Sequence, residues 1–86
     1  MLEVSYKPTF LRQLKKLDVA TRGKALTAIG LFKNLKNHKK LRVHKLHGDL
    51  SHVYSFSINF NTRIIFEYVS KKEVTLLLIG DHTIYQ

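Results

Sequence analysis

Residues Val43–Tyr85 read VHKLHGDLSHVYSFSINFNTRIIFEYVSKKEVTLLLIGDHTIY, and this stretch holds almost every residue typical of a β-sheet. Three short apolar runs are separated by turn-forming residues, first Asn59-Phe60-Asn61 and then Ser70–Glu73. Apolar runs bounded in this way are typical of an antiparallel meander. The three runs predict strands at residues 52–59, 62–69 and 73–80, and a further strand is predicted before them at residues 41–46.

The run at residues 52–59 alternates between two kinds of side chain. One parity is apolar and the other is mostly small and polar: Tyr54, Phe56, Ile58 and Phe60 against Val53, Ser55, Ser57 and Asn59. Because successive side chains of a strand point to opposite faces, one sheet face needs a cover and the other is free to bind. The last two runs are apolar at both parities, which predicts central strands buried on both faces.

The first 40 residues supply the cover. Residues 2–6 alternate like a half-buried strand, and Pro8 suits the first turn of a helix. Apolar residues then recur at helical spacing in two stripes: Phe10, Leu14 and Leu17 in a helix at 8–18, and Ala25, Ala28, Ile29, Phe32 and Leu35 in a helix at 20–36. Gly30 weakens the second helix and is interpreted as a point of close helix approach.

These elements predict an α+β fold. An N-terminal strand is followed by a basic helical hairpin and a four-stranded antiparallel meander, with the helices packed on one sheet face. At 86 residues the chain is interpreted as a single domain, 1–86, which can bury roughly 60–65% of its unfolded surface. It has no cysteine, no apolar stretch long enough for a bilayer and no signal-peptide pattern, so we expect a cytoplasmic protein without a membrane partner.

Positive charge is concentrated in one part of the chain. The net charge is +9, and 12 of the 15 Lys and Arg residues lie between Lys7 and Lys45, where Asp18 is the single acid. A concentrated positive field favours a polyanion, of which nucleic acid is the commonest in a cell. The alternative interpretation is a pair of solvated basic helices with no such partner.

Four short motifs occur in order in the second half: H-K-L-x-G from His44, Y-S-F-S-I-N from Tyr54, R-I-I-F-E-Y from Arg63, and L-L-L-I-G-D-H-x-x-Y from Leu76. Together they resemble the RelE/ParE superfamily of bacterial toxins, and especially its YafQ-like branch of mRNA interferases. The resemblance implies the toxin of a type II toxin–antitoxin system, a ribosome-dependent mRNA endonuclease that inhibits translation. It also implies a cognate antitoxin, the ribosome and mRNA as partners, and no small-molecule cofactor.

The resemblance assigns roles to four residues. His82 matches a catalytic histidine or arginine, and His44 matches a histidine of the YafQ-like branch. Arg63 matches an arginine that contacts the scissile phosphate, and Tyr85 matches a terminal aromatic residue that stacks on a base. The competing interpretation of each is an ordinary surface side chain or one at the edge of the core.

Further residues are candidates for binding RNA or the ribosome: Lys15, Lys16, Lys24, Lys45, Ser55 and Ser57. The two serines mark a departure, since some branches of the family have lysines there. A second departure lies at residues 58–62, which have neither the acid nor the additional histidine of the YafQ-like branch. These departures favour, as one alternative, a catalytically weak RNA- or ribosome-binding relative.

The chemistry that these residues support needs no metal. Histidine can carry a proton in either direction near neutral pH, and arginine offers a two-pronged donor to phosphate. His44 and His47 are three residues apart and would point to opposite faces of a strand, which argues against a zinc site. A further alternative is a non-enzymatic, ParE-like poison of DNA gyrase, although those relatives generally lack the His82, Arg63 and Tyr85 combination.

Overall fold

In the computed structural model, residues 1–48 and 52–81 are described. In chain order the elements are β1 (Glu3–Tyr6), α1 (Pro8–Lys16), α2 (Val19–Phe32), a 3-10 turn (Leu35–Asn37), β2 (His44–Lys45), β3 (Tyr54–Ser57), β4 (Arg63–Tyr68) and β5 (Glu73–Gly80). The predicted order of elements is confirmed. No helix in the described part of the chain is long and apolar enough to cross a membrane.

The strands form one sheet in the order β1-β5-β4-β3-β2. Strands β2 to β5 make the predicted antiparallel meander, with β4 at the centre. The first strand lies beside β5 and runs parallel to it, so the sheet is mixed rather than wholly antiparallel. Parallel neighbours are joined by a crossover connection rather than a tight turn. The direction of β1 relative to β5 therefore depends on how the crossover packs, and the alternation of side chains along β1 does not predict it.

The two helices cover one face of the sheet, as predicted. Their stripes share a core with apolar residues of β3, β4 and β5: Phe10, Ala25, Ala28, Ile29 and Phe32 with Phe56, Ile64, Phe66, Val74, Leu76 and Ile79. The Phe32 and Phe56 rings stack with their centroids 4.4 Å apart, and Phe66 meets Phe32 edge-on. The apolar parity of β3 therefore faces the helices.

The second helix ends at Phe32, four residues earlier than predicted. Side chains from the following turn donate hydrogen bonds to carbonyl oxygens at the end of the helix: Asn37 Nδ2 to that of Leu31, and His38 Nε2 to that of Phe32. Leu35 therefore leaves the stripe and is 63% exposed. A Cβ atom at Gly30 would meet nothing within 4 Å, so this glycine does not mark a close helix approach.

The joint between the helices is built from two charged residues. Asp18 caps α2 by accepting a hydrogen bond from the Thr21 N–H. Arg22 reaches back to the end of α1 and donates to the carbonyl oxygens of Leu14, Lys15 and Leu17. A cation suits the negative end of a helix dipole, so part of the basic stretch stabilises the helical hairpin.

The face of the sheet opposite the helices is not the open polar surface that the alternation predicted. Leu46, Val53 and Ile65 form a second buried cluster there, with Leu77 and Leu78 packed against it. The register of β4 with β5 shifts between Ile65 and Phe66 and leaves Leu77 without a paired partner, as in a β-bulge. Ser55 lies on this face and is 0% exposed.

Strands β2 and β3 are shorter than predicted. Arg42 has a φ of 60° in a turn that occupies the start of the predicted strand 41–46, so pairing begins only at His44. The Asn59–Asn61 turn likewise ends β3 at Ser57. Phe60, which the alternation placed with the apolar parity, lies in this turn and is 93% exposed.

Candidate functional site

A cleft of about 580 Å³ opens at the end of the sheet where β3 finishes and β4 begins. Its lining residues in the described part of the chain are Arg42, Ser57, Asn59, Phe60, Asn61 and Arg63. They comprise two cations, polar side chains that can hydrogen-bond and one aromatic ring, with no carboxylate among them. Such a lining suits an anionic ligand that carries a flat group.

Arg63 and Ser57 stand directly opposite each other across β3 and β4. Their side chains therefore lie on the same face of the sheet. On its other side, Arg63 pairs with Gly80 at the end of β5. The strand that precedes Asp81-His82 in the sequence therefore ends beside Arg63, as expected from antiparallel neighbours. His82 and Tyr85 lie outside the described residues, and their roles stay predictions.

The turn between β3 and β4 is held by its own side chain. Asn59 Oδ1 accepts hydrogen bonds from the backbone N–H groups of Asn61 and Thr62, at 2.9 and 2.8 Å. The Ile58 N–H donates to the Thr62 carbonyl and closes the turn. Asparagine commonly stabilises turns by such contacts. The arrangement keeps Phe60 at the apex, away from the helical cover.

The other wall of the cleft is the turn that carries Arg42. Its N–H donates to the Lys39 carbonyl, and the Ser57 N–H donates to the carbonyl of neighbouring Leu41. This second bond ties the turn to the end of β3. Sequence reasoning missed Arg42 because it was interpreted as part of a strand. Phe60 was correctly predicted in the turn Asn59-Phe60-Asn61, but it was grouped with the apolar parity and so was not considered as a binding residue.

His44 lies on the cleft side of the sheet but does not line the cleft. It pairs with Ser55, so its Cα is two strands and two residues from that of Arg63, roughly 12 Å by strand geometry. Its Nδ1 lies 2.8 Å from the Arg42 carbonyl oxygen. Because a carbonyl can only accept, Nδ1 carries the proton, and Nε2 of the neutral ring keeps its lone pair.

The remaining sequence candidates divide into two groups. Ser55 is 0% exposed and cannot touch RNA directly, which corrects its assignment as a binding residue. The four lysines are exposed and stay candidates for phosphate contacts, although none lines the cleft: Lys15, Lys16, Lys24 and Lys45. Among residues 1–48 and 52–81, no three histidine or acidic side chains gather as a metal site would require.

Solved structures share this architecture over nearly the whole chain. The RelE–RelB complex from Pyrococcus horikoshii OT3 superposes with a TM-score of 0.74 at 17% identity, covering 96% of this chain and 97% of that one. YafQ from E. coli strain BL21(DE3) gives 0.70 at 13% identity, covering 99% and 98%. The chain has the RelE/ParE toxin fold.

A solved structure of another toxin shares the same fold. A YoeB/ParE toxin from Agrobacterium tumefaciens superposes with a TM-score of 0.68 at 14% identity, covering 94% of this chain and 99% of that one. No protein-family model and no curated protein sequence matches the chain. One fold can carry different activities, so the side chains of the cleft decide the activity of this chain rather than the fold.

Proposed function

We propose that this chain is the toxin of a type II toxin–antitoxin system and cuts mRNA on the ribosome without a metal ion. The observation that carries the proposal is the position of Arg63. It lines a cleft that has no carboxylate among its lining residues at 1–48 and 52–81, beside Ser57 and beside the end of the strand that leads toward His82. A phosphodiester needs such a cation where charge develops in the transition state.

The reaction is an internal displacement at phosphorus. The ribose 2′-hydroxyl loses its proton to a base and attacks the adjacent phosphate, and the bond to the 5′-oxygen breaks. The departing oxygen takes a proton from an acid, which leaves a 2′,3′-cyclic phosphate and a 5′-hydroxyl end. His44 suits the base, since its Nε2 has a lone pair available, and His82 is assigned as the acid. Arg63 holds the phosphoryl oxygens.

The partners follow from the charge of the helical hairpin and from the fold. The exposed lysines of the two helices suit ribosomal RNA phosphates, which position a protein without choosing a sequence. The RelE structure from Pyrococcus horikoshii was solved as a complex with RelB. We expect this chain likewise to pair with a cognate antitoxin, one with an acidic segment that offsets the net charge of +9.

The test is expression in bacteria with and without the neighbouring gene product, followed by mapping of mRNA ends. We expect growth arrest and cut messages for the wild type, and relief of both by the partner. In a purified translation assay, Arg63→Ala and His44→Ala should each lower the cleavage rate about 10²–10⁴-fold. His52→Ala, which removes an exposed histidine outside the cleft, is the matched control and should cleave like the wild type.

Two outcomes would contradict the proposal. Intact messages together with relaxed plasmid DNA and DNA breaks would favour the gyrase-poison alternative. Wild-type cleavage by folded Arg63→Ala and His44→Ala proteins would remove both residues from the mechanism. Melting temperatures of the same samples show whether a lost activity reflects lost folding.

A further inference from the structure

The five phenylalanines of the chain fall into two sharply different groups. Four of them are 0% exposed in the core: Phe10, Phe32, Phe56 and Phe66. Phe60 is 93% exposed, although burial of its ring would be favourable. Its ring lines the cleft that also contains both arginines. An exposed aromatic ring beside cations is the arrangement that proteins use to stack a nucleobase next to its phosphate.

The turn that presents Phe60 is ordered before any ligand binds. Four hydrogen bonds fix it: Asn59 Oδ1 accepts two, and the Thr62 carbonyl accepts one each from the Ile58 and Asn59 N–H groups. A ring carried on a backbone that is already fixed loses less conformational entropy on binding than a ring on a mobile loop. The exposure of Phe60 is therefore a property of a defined turn rather than of a loose end of chain.

Arg42 lines the same cleft as Phe60 and has a backbone conformation that is unfavourable for residues with a Cβ atom. Its φ is 60°, the left-handed region that glycine or asparagine usually occupies. Unfavourable conformations of this kind concentrate at functional sites. The same turn supplies the carbonyl oxygen that orients His44. One turn thus places a cation in the cleft and a histidine beside it.

We propose that Phe60 and Arg42 form a nucleotide subsite that holds one base and one phosphate of single-stranded RNA beside Arg63. Phe60 stacks on the base, Arg42 binds the phosphate next to the one that Arg63 holds, and the side chains of Asn59 and Asn61 face the ribose and the base edge. The volume of about 580 Å³ lies within the range of small-ligand sites. This inference rests on the proposed function in two respects only: the subsite adjoins Arg63, and its ligand is the RNA substrate.

The test measures binding and stacking separately from cleavage. A short single-stranded RNA with one 2-aminopurine reports stacking by quenching of its fluorescence, and anisotropy of a labelled copy gives the Kd. The protein has no tryptophan, so the probe signal is not overlapped. We expect Phe60→Leu, which keeps an apolar side chain but removes the ring, to weaken binding roughly 5- to 150-fold and to abolish quenching. Phe60→Tyr, the matched control, should retain both.

The arginine half of the subsite is tested by salt dependence. Between about 50 and 200 mM salt, the slope of log Kd against log salt reports the number of phosphates neutralised. Arg42→Gln should reduce that slope by about one, whereas Phe60→Leu should leave it unchanged. Lys40→Gln removes an exposed charge two residues away that does not line the cleft, and it should change the Kd less than Arg42→Gln does.

The outcomes separate this inference from the proposed function. A wild type that binds and quenches the RNA without cutting messages supports the subsite and contradicts the nuclease proposal. A wild type that cuts messages while Phe60→Leu binds, quenches and cuts equally well overturns the subsite and leaves the nuclease proposal standing. Phe60→Leu that binds RNA normally but fails to bind the antitoxin would assign the ring to a protein interface and overturn the inference. Failure of the wild type to bind the RNA at the lowest salt would overturn it as well.

Discussion

The two faces of the β3–β4 hairpin are built for different purposes, although the same short strands supply both. On the helix side, Phe56 and Phe66 are 0% exposed and pack against Phe32. On the other side, Ser57 and Arg63 stand opposite each other and line a water-accessible cleft. One face stabilises the sheet under its cover, and the end of the other face is left for a ligand.

Alternation alone does not account for this difference. Ser55 has the same parity as Ser57 and lies two residues away, yet it is 0% exposed because Leu46, Val53 and Ile65 close over that part of the sheet. Parity decides the face to which a side chain points, whereas its position along the strand decides whether water reaches it. The candidate site is therefore confined to the end of the hairpin.

The largest expected effect on stability is that of Phe56→Ala, in the face that packs against the helices. This change removes a ring that stacks on Phe32 in the fully packed core, and we expect a loss of about 3–5 kcal/mol in the free energy of unfolding. Phe60→Ala is the matched control, because it deletes the same side chain from an exposed turn. It should change stability by no more than about 0.5 kcal/mol. Urea unfolding followed by circular dichroism measures both.

If the two alanine variants lost similar stability, Phe60 would belong to the core and the division between the faces would be wrong. If Phe56→Ala lost less than about 1 kcal/mol, the stack with Phe32 would not hold the helices to the sheet.

Much of the fold could be predicted because its patterns are local. The stripe positions Phe10, Phe32 and Phe56 reach the core as expected, and β5 has the predicted bounds of residues 73–80. The parallel pairing of β1 and β5 could not be predicted in this way, since side chains alternate between the two faces of the sheet in either strand direction.

The site was predicted less completely because backbone geometry decides it. The resemblance singled out Arg63, and the register places it opposite Ser57 at the end of the hairpin. Arg42 lines the cleft because its turn adopts a positive φ. Phe60 lines it because hydrogen bonds to the Asn59 side chain fix the turn that carries Phe60. Neither the positive φ nor these hydrogen bonds can be recognised from the spacing of apolar residues in the sequence. The predictions for His82 and Tyr85 lie outside the described residues.

A smaller effect is expected at the helical cover itself. Arg22→Met keeps the aliphatic stem but removes three donated hydrogen bonds to the end of α1, so we expect a loss of about 1–2 kcal/mol. Lys24→Met on the same helix makes none of these contacts and is the control. Equal stabilities of the two variants, by urea unfolding, would show that the guanidinium does not hold the helices together.

The cap at the start of α2 should add a pH dependence that is weaker still. Hydrogen bonds from the Thr21 side chain and N–H hold the pKa of Asp18 below its usual value of 3.8. A carboxylate with a lowered pKa stabilises the fold above the unfolded value, and that contribution is lost as the pH falls through the folded value. At neutral pH the urea midpoint of unfolding should therefore be higher for the wild type than for Asp18→Asn. This difference should disappear as the pH falls below about 3.8. A difference independent of pH would show that the charge contributes nothing to the cap.

The smallest expected effect concerns Ser55 and has the opposite sign. Its hydroxyl is buried without a hydrogen-bond partner among the described residues, and an unsatisfied buried polar atom is unfavourable. Ser55→Ala removes that atom and almost no volume, so the unfolding free energy should rise by up to about 1 kcal/mol. Ser57→Ala, on the same face but in the cleft, should leave stability within about 0.5 kcal/mol of the wild type and lower RNA affinity. A loss of stability in Ser55→Ala would mean that its hydroxyl has a partner in solution. Lost RNA affinity in Ser55→Ala with unchanged stability would mean that the buried part of this face opens to ligand. The ligand-binding region would then extend along β3 from Ser57 to Ser55, toward the centre of the sheet.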